Sequence, residues 1–241
     1  MRPEKHIAEP VNKFSLSCTR PDSQDGRLLG RLSAWTAGDR YVGALKRGFC
    51  PAELIPGFIE AIDTLMDKGE ILKRDATTYV SRILFNGHDI VVKRYNHRGF
   101  TYSLRHTIKG CRARRCWHCA NRLMELRIAA PQPFGYLEHR KMNLVWQSYL
   151  LVEYISGRTL SDLLKDNTID NHQKTAIMEK VRHLINELGK HKITHGDLKH
   201  TNILVTDAGT ILTDLDGMRV NKWNWIHNIR HNRDLARFAR K

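Results

Sequence analysis

No run of apolar residues in this sequence approaches the roughly 18 needed to cross a bilayer, which excludes an ordinary transmembrane helix. Met1-Arg2-Pro3-Glu4-Lys5-His6 leads into no apolar stretch, so a secretory signal is not expected. Cysteine is scarce. Five in 241 residues, odd in number and unevenly spaced, rule out a fully paired disulfide scaffold. A reducing cytosol is the expected compartment. Acidic residues are also few, 25 against 40 Lys and Arg, for a net charge of +15. Internal repeats and low-complexity tracts are absent. What remains is 41% apolar with a mean hydropathy of −0.48, the composition of a globular chain long enough for one large domain or two small lobes.

The positive excess is localised. Lys93 to Arg127 holds ten Lys or Arg and a single acid, Glu125, a net +9. Gly217 to Lys241 holds seven and a single acid, Asp234, a net +6. The rest is balanced at 23 of each sign. Segments 93–127 and 217–241 therefore read as a basic surface aimed at something anionic, or as solvated basic helices. No aromatic-basic motif or zinc module accompanies them, so nucleic acid is not the expected partner. Trp223 and Trp225 are expected to pack against the C-terminal part of the chain.

Residues 1–50 sustain no period and read as a loosely structured extension, with a short strand or hairpin from Ala34 to Leu45. Pro51 opens a helix whose Leu54, Ile55, Phe58, Ile59, Ile62, Leu65 and Met66 form one stripe, stopped by Gly69. Strands follow at Ile71-Leu72, Tyr79–Phe85 and Asp89–Tyr95, the last two joined through Asn86-Gly87. A basic connector leads to a helix from Arg112 to Ile128, ended by Pro131 and Pro133. Trp146–Tyr154 is a buried strand, Thr175–Leu188 an amphipathic helix, and Ile203–Val205 with Ile211-Leu212 a short hairpin. The order predicts an α+β protein with its joint near Leu151–Gly157, giving an N-lobe of 51–150 and a C-lobe of 151–241.

Chemistry concentrates in His195-Gly196-Asp197-Leu198-Lys199-His200-Thr201-Asn202, followed by Asp214-Leu215-Asp216-Gly217. Phosphoryl transfer from ATP needs a carboxylate to orient the attacking hydroxyl, oxygens to hold Mg²⁺, and a cation near the transferred group. Asp197, Asn202 and Asp214 supply the oxygens and Lys199 the cation. A hairpin would bring Asn202 and Asp214 together as one metal site.

This pattern resembles the protein-kinase-like superfamily, whose catalytic loop reads H-x-D-x-K-x-x-N and whose metal loop begins with Asp. The resemblance implies a two-lobed kinase-like fold with a β-rich N-lobe and a short, mostly helical C-lobe. It implies that Asp197 is the base, Lys199 the cation, and Asn202 and Asp214 the metal ligands. Lys93, closing a strand as Val91-Val92-Lys93, would clamp the α- and β-phosphates. Backbone groups of Glu153 and Ile155, in Leu151–Gly157, would bind adenine. The turn Lys73-Arg74-Asp75-Ala76-Thr77-Thr78 would cover the nucleotide, but it contains no glycine. Phosphates there would meet the hydroxyls of Thr77 and Thr78, backbone N–H groups, or Lys73 and Arg74. The helix partner of Lys93 would have to be Asn121 or Glu125. Asp216 stands where Gly is usual, and Asp162 could reach a ribose or simply start a helix. His195 is expected to fix the loop rather than move protons. Only 24 residues follow Gly217, too few for the substrate-docking helices of protein kinases.

Within that superfamily, Val92-Lys93-Arg94-Tyr95-Asn96, Cys111-Arg112-Ala113-Arg114-Arg115-Cys116-Trp117 and Pro131-Gln132-Pro133-Phe134-Gly135-Tyr136-Leu137-Glu138 are similar to the bacterial lipopolysaccharide core-sugar kinases, the Kdo/heptose kinase family. The resemblance spans about residues 70–240. It implies ATP- and Mg²⁺-dependent phosphorylation of an inner-core sugar hydroxyl on a lipid-linked anionic saccharide. The protein would lie in the cytoplasm, peripheral at the inner face of the inner membrane, with the basic segments on that anionic surface. Competing readings are a catalytically impaired kinase-like binding protein and a small-molecule phosphotransferase. Cys111, Cys116 and Cys119 have a spacing seen at metal centres, with Cys18, Cys50 or a His as a fourth ligand, but fit small core residues better.

Overall fold

The computed structural model describes the backbone of residues 14–18, 29–36 and 39–240, and side chains from 40 to 240 except 102. Half of the extension expected over 1–50 lies outside these residues. The hairpin expected between Ala34 and Leu45 forms, and it is part of the main sheet rather than of a loose extension. Strands β1 (Phe14–Cys18), β2 (Leu29–Thr36) and β3 (Asp39–Lys46) are paired antiparallel, and β3 continues onto β7 (Pro133–Lys141). Leu45 and Phe49 are buried in the core, and that burial holds the segment in the main sheet.

Contacts divide the chain into two units. The first comprises residues up to Arg114 together with Phe134–Leu151. Its eight-stranded sheet runs β1-β2-β3-β7-β8-β6-β5-β4, where β4 is Glu70–Arg74, β5 Thr78–Phe85, β6 His88–Tyr95 and β8 Leu144–Glu153. Helix α1 (Ile55–Lys68) buries Ile55, Phe58, Ile59, Ile62 and Met66 against Tyr79, Ile83, Ile90 and Val92. The Asn86-Gly87 turn forms as expected, both residues at positive φ, the conformation that matches strand twist. The stretch expected to be a bare connector contains helix α2 (Phe100–Lys109).

The second unit comprises Arg115–Pro133 and the chain from Val152. Helix α3 (Arg112–Glu125) begins in the first unit and contributes Ala120 and Leu123 to the core of the second. That core is completed by α4 (Leu160–Lys165), α5 (Asn171–Lys190) and two strand pairs. One pairs β10 (Ile193–Thr194) with β13 (Arg219–Val220); the other pairs β11 (Ile203–Thr206) with β12 (Gly209–Leu212), beside β9 (Arg158–Thr159). Helix α6 (Asn224–Phe238) closes the chain. Trp223 and Trp225 do not pack inward as expected. Each is 63% exposed, because α6 turns His227 and Asp234 toward the unit instead.

Candidate functional site

The second unit gathers the chemistry. Asn202 ends a 3-10 turn, His200–Asn202, and starts the β11–β12 hairpin, in which Ile203 faces Leu212 and Thr206 faces Gly209. That register sets Asn202 opposite Thr213, whose N–H donates to the Asn202 carbonyl at 2.9 Å. Asp214 comes next, in the left-handed conformation with φ 54° and ψ 61°. Such a backbone costs of order 1 kcal/mol outside glycine and marks a position held by its surroundings.

Asp197 lies at the same end. The Asn202 Nδ2 donates to its carbonyl at 2.9 Å and to Oδ2 at 3.3 Å, while Lys199 Nζ pairs with Oδ2 at 2.9 Å. Partial burial of Asp197 works against ionisation. The bond and charge of Lys199, the Asn202 amide and the nearby His195 outweigh it, holding the carboxyl below its ordinary pKa. It is a carboxylate at neutral pH, ready to accept a proton.

The loop carrying Asp197 is fixed from below. Buried His195 bonds through Nε2 to the carbonyl of Thr213 at 2.9 Å, coupling the segment before Asp197 to the residue before Asp214. With Nε2 so engaged, His195 ties the two loops together, as expected of it. Gly196 has φ +82°, and a Cβ there would run into the carbonyl oxygen of Gly217. Only glycine fits both conditions.

Sequence reasoning missed Asp234. This buried carboxylate on α6 accepts the N–H of His195 at 2.7 Å and that of Gly196 at 3.0 Å. Arg237 joins it, pairing with Asp234 at 3.3 Å and donating to the Gly196 carbonyl. The one available signal was that Asp234 is the sole acid in segment 217–241.

Other expected residues have defined partners. Glu153 ends β8, its N–H donating to the Gln132 carbonyl at 2.9 Å and its carboxylate accepting the Gln132 N–H at 3.2 Å. Ile155 follows in irregular backbone, half-buried. Asp162 sits in the first turn of α4, where Thr159 caps the helix, its hydroxyl donating to Asp162 at 2.7 Å and accepting the Asp162 N–H at 3.1 Å. Asn121 donates to the Trp117 carbonyl at 2.8 Å, and Glu125 pairs with Arg122 at 2.9 Å. Asp216 accepts the thiol of Cys116 at 3.3 Å.

The cysteines are engaged separately. Cys111 accepts the Arg114 N–H at 3.3 Å, while Cys119 points to the Met218 carbonyl at 3.8 Å. Burial pushes Cys111 up to about 12, Cys50 up to about 11 and Cys119 upward, so none is a thiolate at neutral pH. Among the described residues, no group of three or more His, Cys, Asp or Glu is placed to hold a metal. The side chain of Cys18 lies outside the described residues.

In the first unit, Lys93 sits on β6 opposite Val80, between buried Val92 and the Tyr95 strand end, with Nζ 5.5 Å from the Tyr95 ring centroid. The glycine-free turn between β4 and β5 is organised by Asp75. Its Oδ1 accepts the N–H and hydroxyl of Thr77 and the N–H of Thr78, each at 2.8 Å, and Lys73 pairs with Oδ2 at 3.1 Å. Those bonds, led by the Thr77 hydroxyl, hold the Asp75 carboxyl well below its usual range. Thr78 itself is buried, which leaves Thr77 the more accessible of the two hydroxyls.

A sequence model of the lipopolysaccharide kinase (Kdo/WaaP) family matches residues 69–241. A solved structure described as WaaP in complex with acyl carrier protein is similar in fold, with a TM-score of 0.61 at 19% identity over 81% of this chain and 79% of that one. No curated protein matches. No described helix is long and apolar enough to cross a membrane.

Proposed function

The chain belongs to the lipopolysaccharide kinase (Kdo/WaaP) family, and from that we propose that it transfers the γ-phosphoryl group of ATP to a hydroxyl of Kdo or heptose in the inner core of a lipid-linked acceptor. The observation that carries this reading is the Asp197–Lys199–Asn202 constellation beside the left-handed Asp214.

The acceptor hydroxyl attacks the γ-phosphorus, a new O–P bond forms, and the bond to the β-phosphate oxygen breaks to release ADP. Asp197, held ionised, orients that hydroxyl and takes its proton. Lys199, paired with Asp197, offsets charge on the transferred group. Lys93 is the cation for the α- and β-phosphates, and Thr77 with the Asp75-ordered turn covers them. The N–H of Glu153 is taken by Gln132, so adenine would use the carbonyl of Glu153 and the N–H of Ile155.

The residues fit Mg²⁺, which is commonly held by one or two carboxylates together with substrate phosphates. Asp214 offers the carboxylate. Asn202 directs its Nδ2 at Asp197, which leaves the amide oxygen as its ligating end. When bound, the ion would neutralise charge on the phosphates.

The test is transfer of labelled γ-phosphate to a panel of acceptors: purified lipid-linked Kdo/heptose core, its deacylated saccharide, an aminoglycoside and a generic protein. Labelling confined to the two core acceptors is the expected result. Labelling of the aminoglycoside or the protein instead would reject the acceptor class.

A further inference from the structure

The helix that the sequence hid, α2, is built inside out. Its inward side is hydroxylic. Ser103 is buried with its Oγ 2.9 Å from His97 Nδ1. The Thr107 hydroxyl donates to the Ser103 carbonyl at 2.7 Å and accepts the N–H of Val145 at 2.9 Å. Its outward side is apolar. Phe100, Leu104 and Ile108 recur every fourth residue and stand 67%, 42% and 74% exposed. A helix on a water-facing surface normally shows the reverse arrangement. Single exposed apolar residues need no explanation, but a contiguous stripe does.

The neighbouring turn repeats the oddity. The Val145–Thr107 bond ties the start of β8 to α2, so the β7–β8 hairpin tip lies beside the helix. That tip is Met142-Asn143, with φ values of 46° and 64°. Such a turn favours Asn or Gly at its first position. Here it carries a methionine, strained and 92% exposed. Lys141 precedes it, exposed, with its Nζ 5.7 Å from the Trp146 ring centroid.

The charge around this apolar surface has one sign. Arg98, Arg105 and Lys109 are exposed on or next to α2, and no Asp or Glu occurs from Ile90 to Met124. An apolar stripe flanked by cations is the chemistry of a helix lying in the plane of an anionic bilayer. A second copy fits poorly, since a two-fold contact through this face would oppose Arg105 and Lys109 to themselves.

We propose that α2 and the Met142 tip form a membrane-insertion surface. Phe100, Leu104, Ile108 and Met142 enter the acyl boundary while Arg98, Arg105, Lys109 and Lys141 meet anionic headgroups. This gives the basic segment 93–127 the anionic membrane surface expected for it, and it does not depend on phosphoryl transfer.

The experiment is sedimentation of the full chain with vesicles of phosphatidylcholine alone and of phosphatidylcholine mixed with phosphatidylglycerol, at low and high salt. Wild type is compared with the triple variant Phe100→Ser, Leu104→Ser, Ile108→Ser and with Arg105→Ser, Lys109→Ser. Thermal unfolding and transfer to the deacylated acceptor run in parallel. The expected result is binding to the anionic vesicles only. The triple variant loses it by at least about tenfold at both salts, with unfolding and deacylated-acceptor transfer unchanged. The charge variant binds less at low salt alone. Equal binding by wild type and a folded triple variant overturns the proposal, as does absence of wild-type binding. A wild-type dimer that the triple variant dissociates, without vesicle binding, reassigns the surface to a second copy and also overturns it. Failure of wild-type transfer to any acceptor would reject the proposed function instead, leaving the vesicle result to be read on its own.

Should the triple variant unfold, Ile108→Trp replaces it. Its added fluorescence should shift to the blue and be quenched by brominated acyl chains, and an unshifted, unquenched signal overturns the proposal.

Discussion

Replacing Asp234 by Ala should cost more than replacing any exposed charge in this protein. The carboxylate satisfies two backbone N–H groups, those of His195 and Gly196. Each bond to a charged acceptor is worth about 1.5–3 kcal/mol, and a buried N–H stripped of its partner costs about 1–3 kcal/mol. Arg237 is half-exposed and can return to water, so its share is small. The expected loss is about 3–5 kcal/mol, a large part of the roughly 5–15 kcal/mol that holds a domain together. Asp234→Asn keeps one acceptor oxygen but turns an NH₂ toward a donor, so about 1–3 kcal/mol is expected. Urea unfolding of both variants measures this, and amide exchange at His195 and Gly196 localises it. Transfer should fall in Asp234→Asn while nucleotide affinity holds, because the loop carrying Asp197 loosens. An Asp234→Ala protein within about 0.5 kcal/mol of wild type, with slow exchange at both amides, would refute the reasoning.

Gly196→Ala combines a left-handed backbone with a collision against Gly217, so it should lose transfer activity and at least about 1 kcal/mol of stability in urea unfolding. Burial lowers the pKa of His227, helped by His231 and Lys192, and burial also lowers that of His200. Both therefore bind protons more readily when unfolded. Stability should be full above about pH 6.5 and decline as pH falls through the window below it, measured as urea midpoints between pH 7.5 and about 5. Asp75→Ala should speed amide exchange at Thr77 and Thr78 and raise the KM for ATP with little change in global unfolding. Unchanged exchange there would mean that Asp75 does not organise the turn.

What the sequence made legible was local. The α1 stripe, the Asn86-Gly87 turn and the loop from His195 to Asp214 each declare themselves through period, turn chemistry or spacing within a few residues. α2 was hidden because its apolar stripe faces outward while the hydroxyls of Ser103 and Thr107 face inward, between Gly99 and Gly110, so amphipathic logic had no core to assign. β7 was hidden because it is buried along both faces and carries charge there: Glu138 is buried and paired with Arg140. Without alternation a strand loses its signature. Asp234 was invisible for a third reason. Its partners are backbone amides about 40 residues away in sequence, and backbone donors leave no trace in residue types.

The central claim is that Asp197 performs the proton step of a phosphoryl transfer whose nucleotide site does not need it. The most direct test is the single-turnover rate of Asp197→Asn on the lipid-linked core acceptor, with Mg²⁺-ATP affinity measured in the same preparation. The account predicts a rate lower by about 10²–10⁴-fold with affinity unchanged. A rate within a few-fold of wild type at equal affinity would contradict it.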